Sequence, residues 1–141
     1  MAYRVSTYMD ESFPSIDINS TIGDVARKVA ECGKEFALVL ENGLPKGLIS
    51  NIDIVSAFAK ARDAAEVRVA DAMSPLVTMD PDGDLMEASG IMASRNMGCV
   101  AVAKGGIVYG LLTARGIATR CPEYVDHAVK DILRWSLPGR P

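Results

Sequence analysis

An internal repeat constrains this chain more than any other feature. The stretch Gly47-Leu48-Ile49-Ser50 recurs 63 residues later as Gly110-Leu111-Leu112-Thr113. At the same offset, residues 13–54 align with residues 76–117 without a gap, and the identical pairs fall at turns and in apolar runs. Self-similarity at a fixed period indicates a fold built from copies of one unit. We therefore predict two similar units that share a fold.

Each unit begins its main helix with the same kind of cap. Thr21 followed by Asp24, and Asp84 followed by Glu87, place a capping oxygen and a carboxylate near the free amides of a helix start. After these caps, apolar residues follow the spacing of one buried helix face. They are Ile22, Val25, Ala26 and Val29 in the first unit, and Leu85, Ala88 and Met92 in the second.

Two strands joined by a tight turn follow each of these helices. Asn42-Gly43 and Gly105-Gly106 suit a two-residue hairpin turn, in which both central residues have positive φ. The predicted strands are Phe36–Leu40 and Leu44–Ser50 in the first unit, and Cys99–Ala103 and Ile107–Thr113 in the second. A second helix is predicted at residues 52–62, and a shorter one after Arg115.

Each unit is therefore predicted to be a β-α-β-β-α module, with an α+β fold in two layers. Such a module alone leaves one sheet face open, so we expect the two to pack sheet to sheet with pseudo-twofold symmetry. The predicted boundaries are 1–63 for the first repeat, 64–120 for the second, and 121–141 for a C-terminal helix and tail. Ala64-Ala65-Glu66 is the expected linker. The terminal helix carries Trp135 on its apolar face, which packs on its own domain in one interpretation and on a partner in the other.

Composition and charge exclude several classes of function. The chain has 141 residues, of which 49% are hydrophobic, enough for one core or for two half-size units that share one. Its 15 basic and 18 acidic residues give a net charge of −3, which offers no positive field for nucleic acid or an anionic membrane. No apolar run approaches the roughly 20 residues of a membrane helix. The first residues lack the apolar core of a secretory signal, and we expect a cytoplasmic protein.

Motifs for catalysis and metal binding are missing from the sequence. His127 is the single histidine, which argues against Ser/His/Asp or Cys/His catalysis and against a zinc site. Asp80-Pro81-Asp82-Gly83-Asp84 resembles the start of a calcium loop, but Leu85 and Ile91 stand where glycine and glutamate are required. The three scattered cysteines are expected to be reduced, with Cys32 and Cys99 in the core. We therefore expect no enzymatic activity, no metal and no cofactor.

The repeated junction between strand and helix is the remaining candidate site. Ser50 and Thr113 each end a strand and begin a helix, where a hydroxyl and free amides can hold a phosphate or a sugar. Asp53 suits the vicinal hydroxyls of a ribose, because one carboxylate can accept two hydrogen bonds. On one copy alone, Ser50 and Asp53 would be no more than a capping box. Recurrence at the same edge of both units favours ligand binding.

The two units together resemble a tandem pair of CBS domains, the Bateman module. The resemblance covers about residues 3–120 and rests on Val69-Ala70-Asp71-Ala72-Met73, its weaker partner Val5-Ser6-Thr7-Tyr8-Met9, and the repeated Gly-Leu-aliphatic-Ser/Thr ending. It implies a regulatory module that senses an adenosine-containing ligand such as AMP, ADP, ATP, S-adenosylmethionine or NAD. It also implies a homodimer, since such pairs commonly stack into flat discs through their helices.

The resemblance also implies two ligand clefts between the repeats. In each cleft the Ser/Thr-x-x-Asp end of one repeat meets the first strand of the other. Ser50 would contact ribose or phosphate, and Asp53 would hold the ribose hydroxyls. Thr113 fits the second cleft, but Gly116 stands where the ribose-binding aspartate would be. Arg115 still offers that cleft a charge for phosphate.

Further site residues follow from the resemblance by position. The family often has a basic residue just before the central strand. Arg95 fits that position in the second repeat, whereas the first has Cys32 there, with Lys34 close by. Ile16 and Val77, on the first strand of each repeat, would contribute an apolar wall for adenine.

We therefore predict a non-catalytic protein that binds an adenine nucleotide at one ribose-selective site, with a second site that is degenerate or binds phosphate alone. With no catalytic domain on the chain, its output would act in trans on an unidentified partner. The alternative is a structural dimerisation or adaptor module with degenerate clefts, which Gly116 and Cys32 favour. A nucleic-acid-binding module is a third possibility, and the acidic charge balance argues against it.

Overall fold

Strands of the two repeats form two sheets at the centre of the molecule. The computed structural model describes residues 3–126. The strands are β1 Ser15–Asp17, β2 Phe36–Glu41, β3 Leu44–Ser50, β4 Ser74–Pro75, β5 Thr78–Met79, β6 Cys99–Lys104 and β7 Ile107–Thr113. The helices are α1 Val5–Tyr8, α2 Ile22–Cys32, α3 Asn51–Lys60, α4 Val69–Ala72, α5 Leu85–Arg95 and α6 Ala114–Arg120. One sheet has the order β1-β2-β3-β4 and the other the order β5-β6-β7.

Tight turns fix the register of the central hairpin in each sheet. Asn42 and Gly43 have φ angles of 52° and 79°, and Gly105 and Gly106 have 61° and 79°. Positive φ at both central residues is the geometry that joins two right-twisted strands directly. The return strands β3 and β7 have the predicted bounds, while β2 and β6 each extend one residue beyond theirs.

Alternation along the central strands divides the core into three layers. Side chains on one face of each sheet meet between the sheets, where Leu38 and Leu48 pack with Cys99, Ala101 and Leu111. The residues between them in sequence face the other way and pack under helices, in one cluster for each repeat. This arrangement follows from the period of two along a strand. It confirms the prediction of two α+β repeats packed sheet to sheet with pseudo-twofold symmetry.

Helix caps repeat with the fold. In α2 the Thr21 hydroxyl accepts a hydrogen bond from the Asp24 amide at 3.2 Å, and the Asp24 carboxylate accepts one from the Thr21 amide at 3.1 Å. In α5 the Asp84 carboxylate accepts from the Glu87 amide at 2.9 Å. Left-handed residues end both helices, Gly33 in α2 and Asn96 in α5. Glycine and asparagine are the residues that adopt this conformation most readily.

The first segment of each repeat packs against the other repeat. The leading segment of the first repeat, residues 3–10, bonds to the second, with the Val5 amide 2.9 Å from the Gly83 carbonyl oxygen. In the second repeat, the Val69 amide lies 2.9 Å from the carbonyl oxygen of Ser20. Val5 and Met9 are buried in the core of the second repeat, and Val69 in the core of the first. This exchange ties the two repeats into one body.

The two repeated glycines lie where these exchanged segments cross the sheets. Strand β4 pairs with β3 at Gly47, and Asp10 pairs with Leu111 beside Gly110. A Cβ atom on Gly47 would lie 2.5 Å from the Ser74 carbonyl oxygen, and one on Gly110 would lie 2.7 Å from the Met9 side chain. Only glycine allows this close approach of backbone and side chain. The glycine at the start of each repeated motif therefore serves the junction between repeats.

Several local features differ from the sequence-based expectations. Cys32 is exposed at the end of α2, so its assignment to the core was wrong, whereas Cys99 is buried as expected. Burial raises the pKa of the Cys99 thiol to about 12. The expected linker Ala64–Glu66 is a turn of 3₁₀ helix with Ala64 buried. The repeated segments Val5–Met9 and Val69–Met73 form the short helices α1 and α4, whose helical form and packing on the other repeat no local signal predicts.

The start of the terminal segment packs on its own domain. Residues 122–126 are helical, and Tyr124 and Val125 pack against the second core. The Tyr124 hydroxyl lies 3.0 Å from Ser89 Oγ, and its ring meets that of Tyr3 edge to face at 5.6 Å. Trp135 and His127 lie outside the described residues, and the boundaries at 63 and 120 remain predictions. Within residues 3–126, none of the helices has the length and apolar character needed to span a membrane.

Candidate ligand clefts

Two clefts open between the repeats, one at each repeated junction of strand and helix. In the first, which we call the Ser50 cleft, Ser50 and Asp53 face residues 96–98 of the second repeat. The volume of this cleft is about 290 Å³. In the second, which we call the Thr113 cleft, Thr113 faces residues 33–36 of the first repeat. The volume of this cleft is about 210 Å³. Both volumes lie below the range of about 300–1,000 Å³ that is typical of small-molecule sites, the volume of the Ser50 cleft only slightly. The pseudo-twofold symmetry of the fold thus brings the two predicted motifs into equivalent places.

A reciprocal pair of hydrogen bonds holds the two polar residues of the Ser50 cleft. The Ser50 hydroxyl accepts from the Asp53 amide at 3.1 Å, and one carboxylate oxygen of Asp53 accepts from the Ser50 amide at 2.9 Å. The other carboxylate oxygen has no partner among the described residues, and the Ser50 hydroxyl keeps its proton to donate. The capping box and a ligand-binding role are therefore compatible, because the box fixes a half-buried carboxylate at the cleft.

Apolar side chains from both repeats form the wall of the Ser50 cleft. Phe36 and Leu48 come from the first repeat and Met97 from the second. The charged residues among those that line this cleft are Glu35 and Asp53, both acidic. An aromatic ring and a thioether beside hydrogen-bonding groups suit a flat heterocycle that carries a polar sugar.

The Thr113 cleft has the same frame but lacks the carboxylate. The Thr113 hydroxyl accepts a hydrogen bond from the Gly116 amide at 2.9 Å, so one of the two hydrogen bonds of a capping box is present. Glycine has no side chain to return the bond or to hold a ribose. In both junctions the first helical amide donates to the residue just before the central strand of its own repeat, Asn51 to the Glu35 carbonyl oxygen and Ala114 to the Gly98 carbonyl oxygen, each at 2.9 Å. The difference between the clefts is therefore one of side chains on a shared backbone frame.

Cations converge on the Thr113 cleft. Lys34 Nζ lies 2.7 Å from Asp10 Oδ2, and Arg115 lies 3.7 Å from the Glu35 carboxylate. Arg120 donates a hydrogen bond to the Met9 carbonyl oxygen at 2.7 Å. Three cations and two carboxylates, those of Asp10 and Glu35, therefore line this cleft. This excess of positive charge favours a ligand with an anionic group, whereas the charged residues of the Ser50 cleft are both acidic.

Asp10 is held in its charged form. Partial burial alone would raise the pKa of its carboxyl, but hydrogen bonds from the Lys34 ammonium and the Ser12 amide bring the pKa below its usual range. The same residue pairs its backbone with Leu111 in both directions, at 2.8 and 2.9 Å. Asp10 thus links the leading segment of the chain to both sides of the Thr113 cleft.

The structure places five of the eight predicted site residues in the two clefts. Lys34, Thr113 and Arg115 line the Thr113 cleft, and Ser50 and Asp53 line the Ser50 cleft. The others lie outside the lining of both clefts. Arg95 is exposed in the last turn of α5 next to Asn96, while Ile16 and Val77 are half-buried against the cores of their repeats.

Several cleft residues carry no motif that sequence reasoning could find. Asp10, Phe36 and Arg120 reach the Thr113 cleft from three different elements. One difference between the clefts does have a signal in the sequence. The 63-residue offset pairs Lys34 with Met97, which indicates that the two clefts differ in charge. Within residues 3–126, no three side chains of His, Cys, Asp or Glu converge as metal ligands would.

Comparison with known proteins identifies the family. The sequence model of the CBS domain matches the chain twice, at residues 5–60 and 67–123. No protein with a curated description matches the sequence significantly.

Solved structures share the fold at low sequence identity. The CBS domain protein PAE2072 from Pyrobaculum aerophilum, complexed with AMP, is 22% identical with a TM-score of 0.79, over 89% of this chain and 98% of that one. The CBS domain pair of protein MJ0100, in complex with 5′-methylthioadenosine and S-adenosyl-L-methionine, is 17% identical with a TM-score of 0.77, over 88% and 99%. The CBS-domain protein ATU1752 from Agrobacterium tumefaciens is 19% identical with a TM-score of 0.76, over 84% and 93%. With two family matches along most of its length and the fold of these pairs, the chain belongs to the CBS domain family as a tandem pair.

Proposed function

We propose that this protein is a non-catalytic regulatory module that binds an adenosine-containing ligand in the Ser50 cleft. The Thr113 cleft binds a phosphate-bearing ligand with less selectivity for ribose. Ligand occupancy changes the packing of the two repeats, and a partner protein responds to that change in trans. The protein acts in the cytoplasm as a homodimer.

The observation that carries the proposal is the fixed carboxylate of Asp53. Its capping bond to the Ser50 amide holds one oxygen in place and leaves the other directed at no protein group. A carboxylate positioned in this way can accept from the two hydroxyls of a ribose without first ordering its own side chain. Phe36 and Met97 lie in the same cleft and supply an apolar surface for adenine.

Three members of the fold family support the ligand class. The solved structures of PAE2072, MJ0100 and CBSX2 contain AMP, or 5′-methylthioadenosine and S-adenosyl-L-methionine. These ligands have an adenosyl group in common and differ in what they carry at the 5′ position. A cleft that reads adenine and ribose is consistent with all of them.

The Thr113 cleft supports a second, anion-directed role. Lys34 and Arg115 present positive charge near Thr113, and Gly116 offers nothing to a ribose diol. We assign to Arg95 an outer position, where its exposed guanidinium reaches a ligand at the mouth of the Ser50 cleft. Ile16 and Val77 support the strands behind the clefts, and their contact with adenine remains a prediction.

The proposed dimer uses an apolar stripe on α3. Ile52, Val55 and Phe58 lie on one face of that helix and are 71%, 63% and 52% exposed. At the equivalent positions the chain has Arg115 and Ala118 on α6 and Cys121 directly after it, and Cys121 is buried. The stripe therefore belongs to one repeat only, which favours contact of α3 with α3 of a second copy about a twofold axis.

A panel of adenosyl ligands tests the proposed function. Thermal unfolding of the full chain is followed with AMP, ADP, ATP, S-adenosylmethionine, 5′-methylthioadenosine and NAD. A ligand at 100 times its dissociation constant adds about 2.7 kcal/mol to the free energy of unfolding. We expect a stabilising shift with at least one of them. For ligands without a phosphate, such as 5′-methylthioadenosine, the shift should be lost in Asp53→Ala, whereas phosphate-bearing ligands should keep the part of the shift that comes from the Thr113 cleft. No shift with any ligand would favour the adaptor alternative, in which both clefts are degenerate.

The chain offers a matched control for this experiment. Asp24 occupies the same position of a capping box in α2, but it lines neither cleft. Asp24→Ala removes a cap of the same design and should keep the full ligand-induced shift. An equal loss of the shift in both variants would mean that Asp53 acts through helix stability and not through contact with ribose.

A further inference from the structure

We propose that the carboxylate of Asp10 is an internal competitor for the phosphate site of the Thr113 cleft, so that a phosphate-bearing ligand binds by taking Lys34 from Asp10. The inference rests on the proposed function of that cleft and adds its regulation. It makes the leading segment of the chain, residues 3–10, the part of the molecule that responds to the ligand.

The first support is the geometry of the ion pair. Lys34 Nζ and Asp10 Oδ2 are 2.7 Å apart, and both side chains are only partly exposed, 34% and 23%. Both residues line the Thr113 cleft, beside the threonine hydroxyl and Arg115. A carboxylate and a phosphate oxygen make the same kind of charge-assisted bond to an ammonium group. Lys34 can therefore serve either Asp10 or a ligand in the same cleft.

The second support is that another cation of the cleft also holds the leading segment. Arg120 donates to the Met9 carbonyl oxygen at 2.7 Å and reaches the Tyr8 carbonyl oxygen at 3.4 Å. A neutral carbonyl is a weaker partner for a guanidinium than a phosphate is. A ligand that draws Arg120 and Lys34 to itself therefore removes the contacts of two side chains from residues 8–10 at once.

The third support is the contrast with the Ser50 cleft. The residue equivalent to Lys34 there is Met97, and the residue that pairs across the sheet in the place of Asp10 is Ser74. Neither carries a charge, so that cleft has no internal pair to break. The competitor is thus specific to one cleft of a molecule whose two halves share a backbone.

The fold explains how exchange of this ion pair can have a wider effect. Residues 3–10 pack on the second repeat, with Val5 and Met9 buried in its core. Without the two side-chain contacts, Asp10 keeps its two backbone bonds to Leu111. We expect the amides of residues 8–10 to exchange with solvent faster when a phosphate ligand saturates the cleft. Unchanged or slower exchange would overturn the release of this segment.

Calorimetric titration of the full chain with AMP and with adenosine tests the competition. The Asp53→Ala background removes the ribose carboxylate of the other cleft. In that background, Asp10→Asn should raise the affinity for AMP roughly fivefold, as expected for a partly exposed ion pair. The affinity for adenosine, which has no phosphate, should not change. The backbone pairing of Asp10 with Leu111 does not use its side chain, so the variant should fold.

Two further variants make the result specific. Glu11→Gln removes the same charge one residue away, at an exposed position, and should leave the affinity for AMP within about twofold of its starting value. In a Lys34→Gln background, Asp10→Asn should have no effect, because the contested cation is gone. An equal gain from Glu11→Gln, or no gain from Asp10→Asn while AMP still binds, would overturn the competition and leave the proposed function intact. No binding of AMP in any variant would overturn both the competition and the phosphate-binding role proposed for the Thr113 cleft.

Discussion

At the residue scale, one position distinguishes the two clefts more than any other. Asp53 and Gly116 occupy the third position of helices that begin with the same hydroxyl cap. With the carboxylate present, the cap is reciprocal, and the cleft gains the carboxylate oxygen that we propose as the ribose acceptor. With glycine, only the hydrogen bond from the Gly116 amide to the Thr113 hydroxyl remains, and the helix contains a glycine that lowers its stability. Function and helix stability therefore depend on the same side chain.

Gly116→Asp should restore both properties to the second junction. A Cβ atom at this position would lie 2.9 Å from Thr113 Oγ1, which a small rotation of the threonine side chain can relieve. Replacing a helical glycine should raise the free energy of unfolding by about 0.5–1 kcal/mol. The variant should also gain binding of adenosine in calorimetric titration. A more stable protein without that gain would show that a carboxylate alone does not create the ribose site.

At the scale of elements, the strands that cross between repeats explain the repeated glycines. Strand β4 and the segment around Asp10 each add a short pairing to the return strand of the other repeat. Short pairings of this kind contribute little alone, but they position the loops that form each cleft. The glycine opposite each crossing segment leaves the space that this segment occupies.

Alanine at the two glycines should have unequal effects, because the obstacles differ. At Gly47 the new Cβ would meet the Ser74 carbonyl oxygen at 2.5 Å, and backbone cannot move away easily. At Gly110 it would meet the flexible Met9 side chain at 2.7 Å. We expect Gly47→Ala to lower the free energy of unfolding by about 2–3 kcal/mol and Gly110→Ala by about 1 kcal/mol, measured by urea unfolding. The reverse order would argue against the crossing as the reason for the glycines.

At the scale of the whole molecule, the two repeats form one body with unequal surfaces. The exchanged segments and the core between the sheets join the halves. The apolar stripe on α3 has no equivalent on α6. We take this asymmetry as the basis of the proposed homodimer.

If the proposed dimer forms through α3, Phe58→Glu should convert it into a monomer, because a charge in the centre of an apolar contact is not compensated there. Light scattering coupled to size-exclusion chromatography measures the mass directly. Met86→Glu is the matched control, since Met86 is 73% exposed on α5 outside the stripe. A dimer that survives Phe58→Glu, or that is lost equally in both variants, would place the interface elsewhere.

The sequence predicts most of the fold because its turns and caps act locally. Asn42-Gly43 and Gly105-Gly106 specify the hairpins, and the helix starts at residues 22 and 85 follow from their caps. The exchange of leading segments has no local signal, since Val5 and Val69 are buried only by a distant part of the chain. For the same reason the sequence-based prediction of Cys32 in the core is wrong, since this residue is exposed at the end of α2.

The candidate site could be predicted only in part for a similar reason. Ser50, Asp53 and Thr113 belong to a motif that recurs, so their chemistry was visible in the chain. Asp10 and Arg120 carry no motif, and tertiary structure alone brings them to the Thr113 cleft. Ion pairs between distant residues depend on three-dimensional placement, which residue spacing does not encode.

The central claim is that the Ser50 cleft reads the ribose of an adenosyl ligand, and a crystal structure of the full chain with such a ligand tests it most directly. AMP and 5′-methylthioadenosine are suitable, because one carries a phosphate and the other does not. The account predicts that in both complexes the ribose hydroxyls lie within hydrogen-bond distance, about 2.6–3.2 Å, of the free carboxylate oxygen of Asp53. Adenosine bound against Gly116 alone, with its ribose away from Asp53, would contradict it.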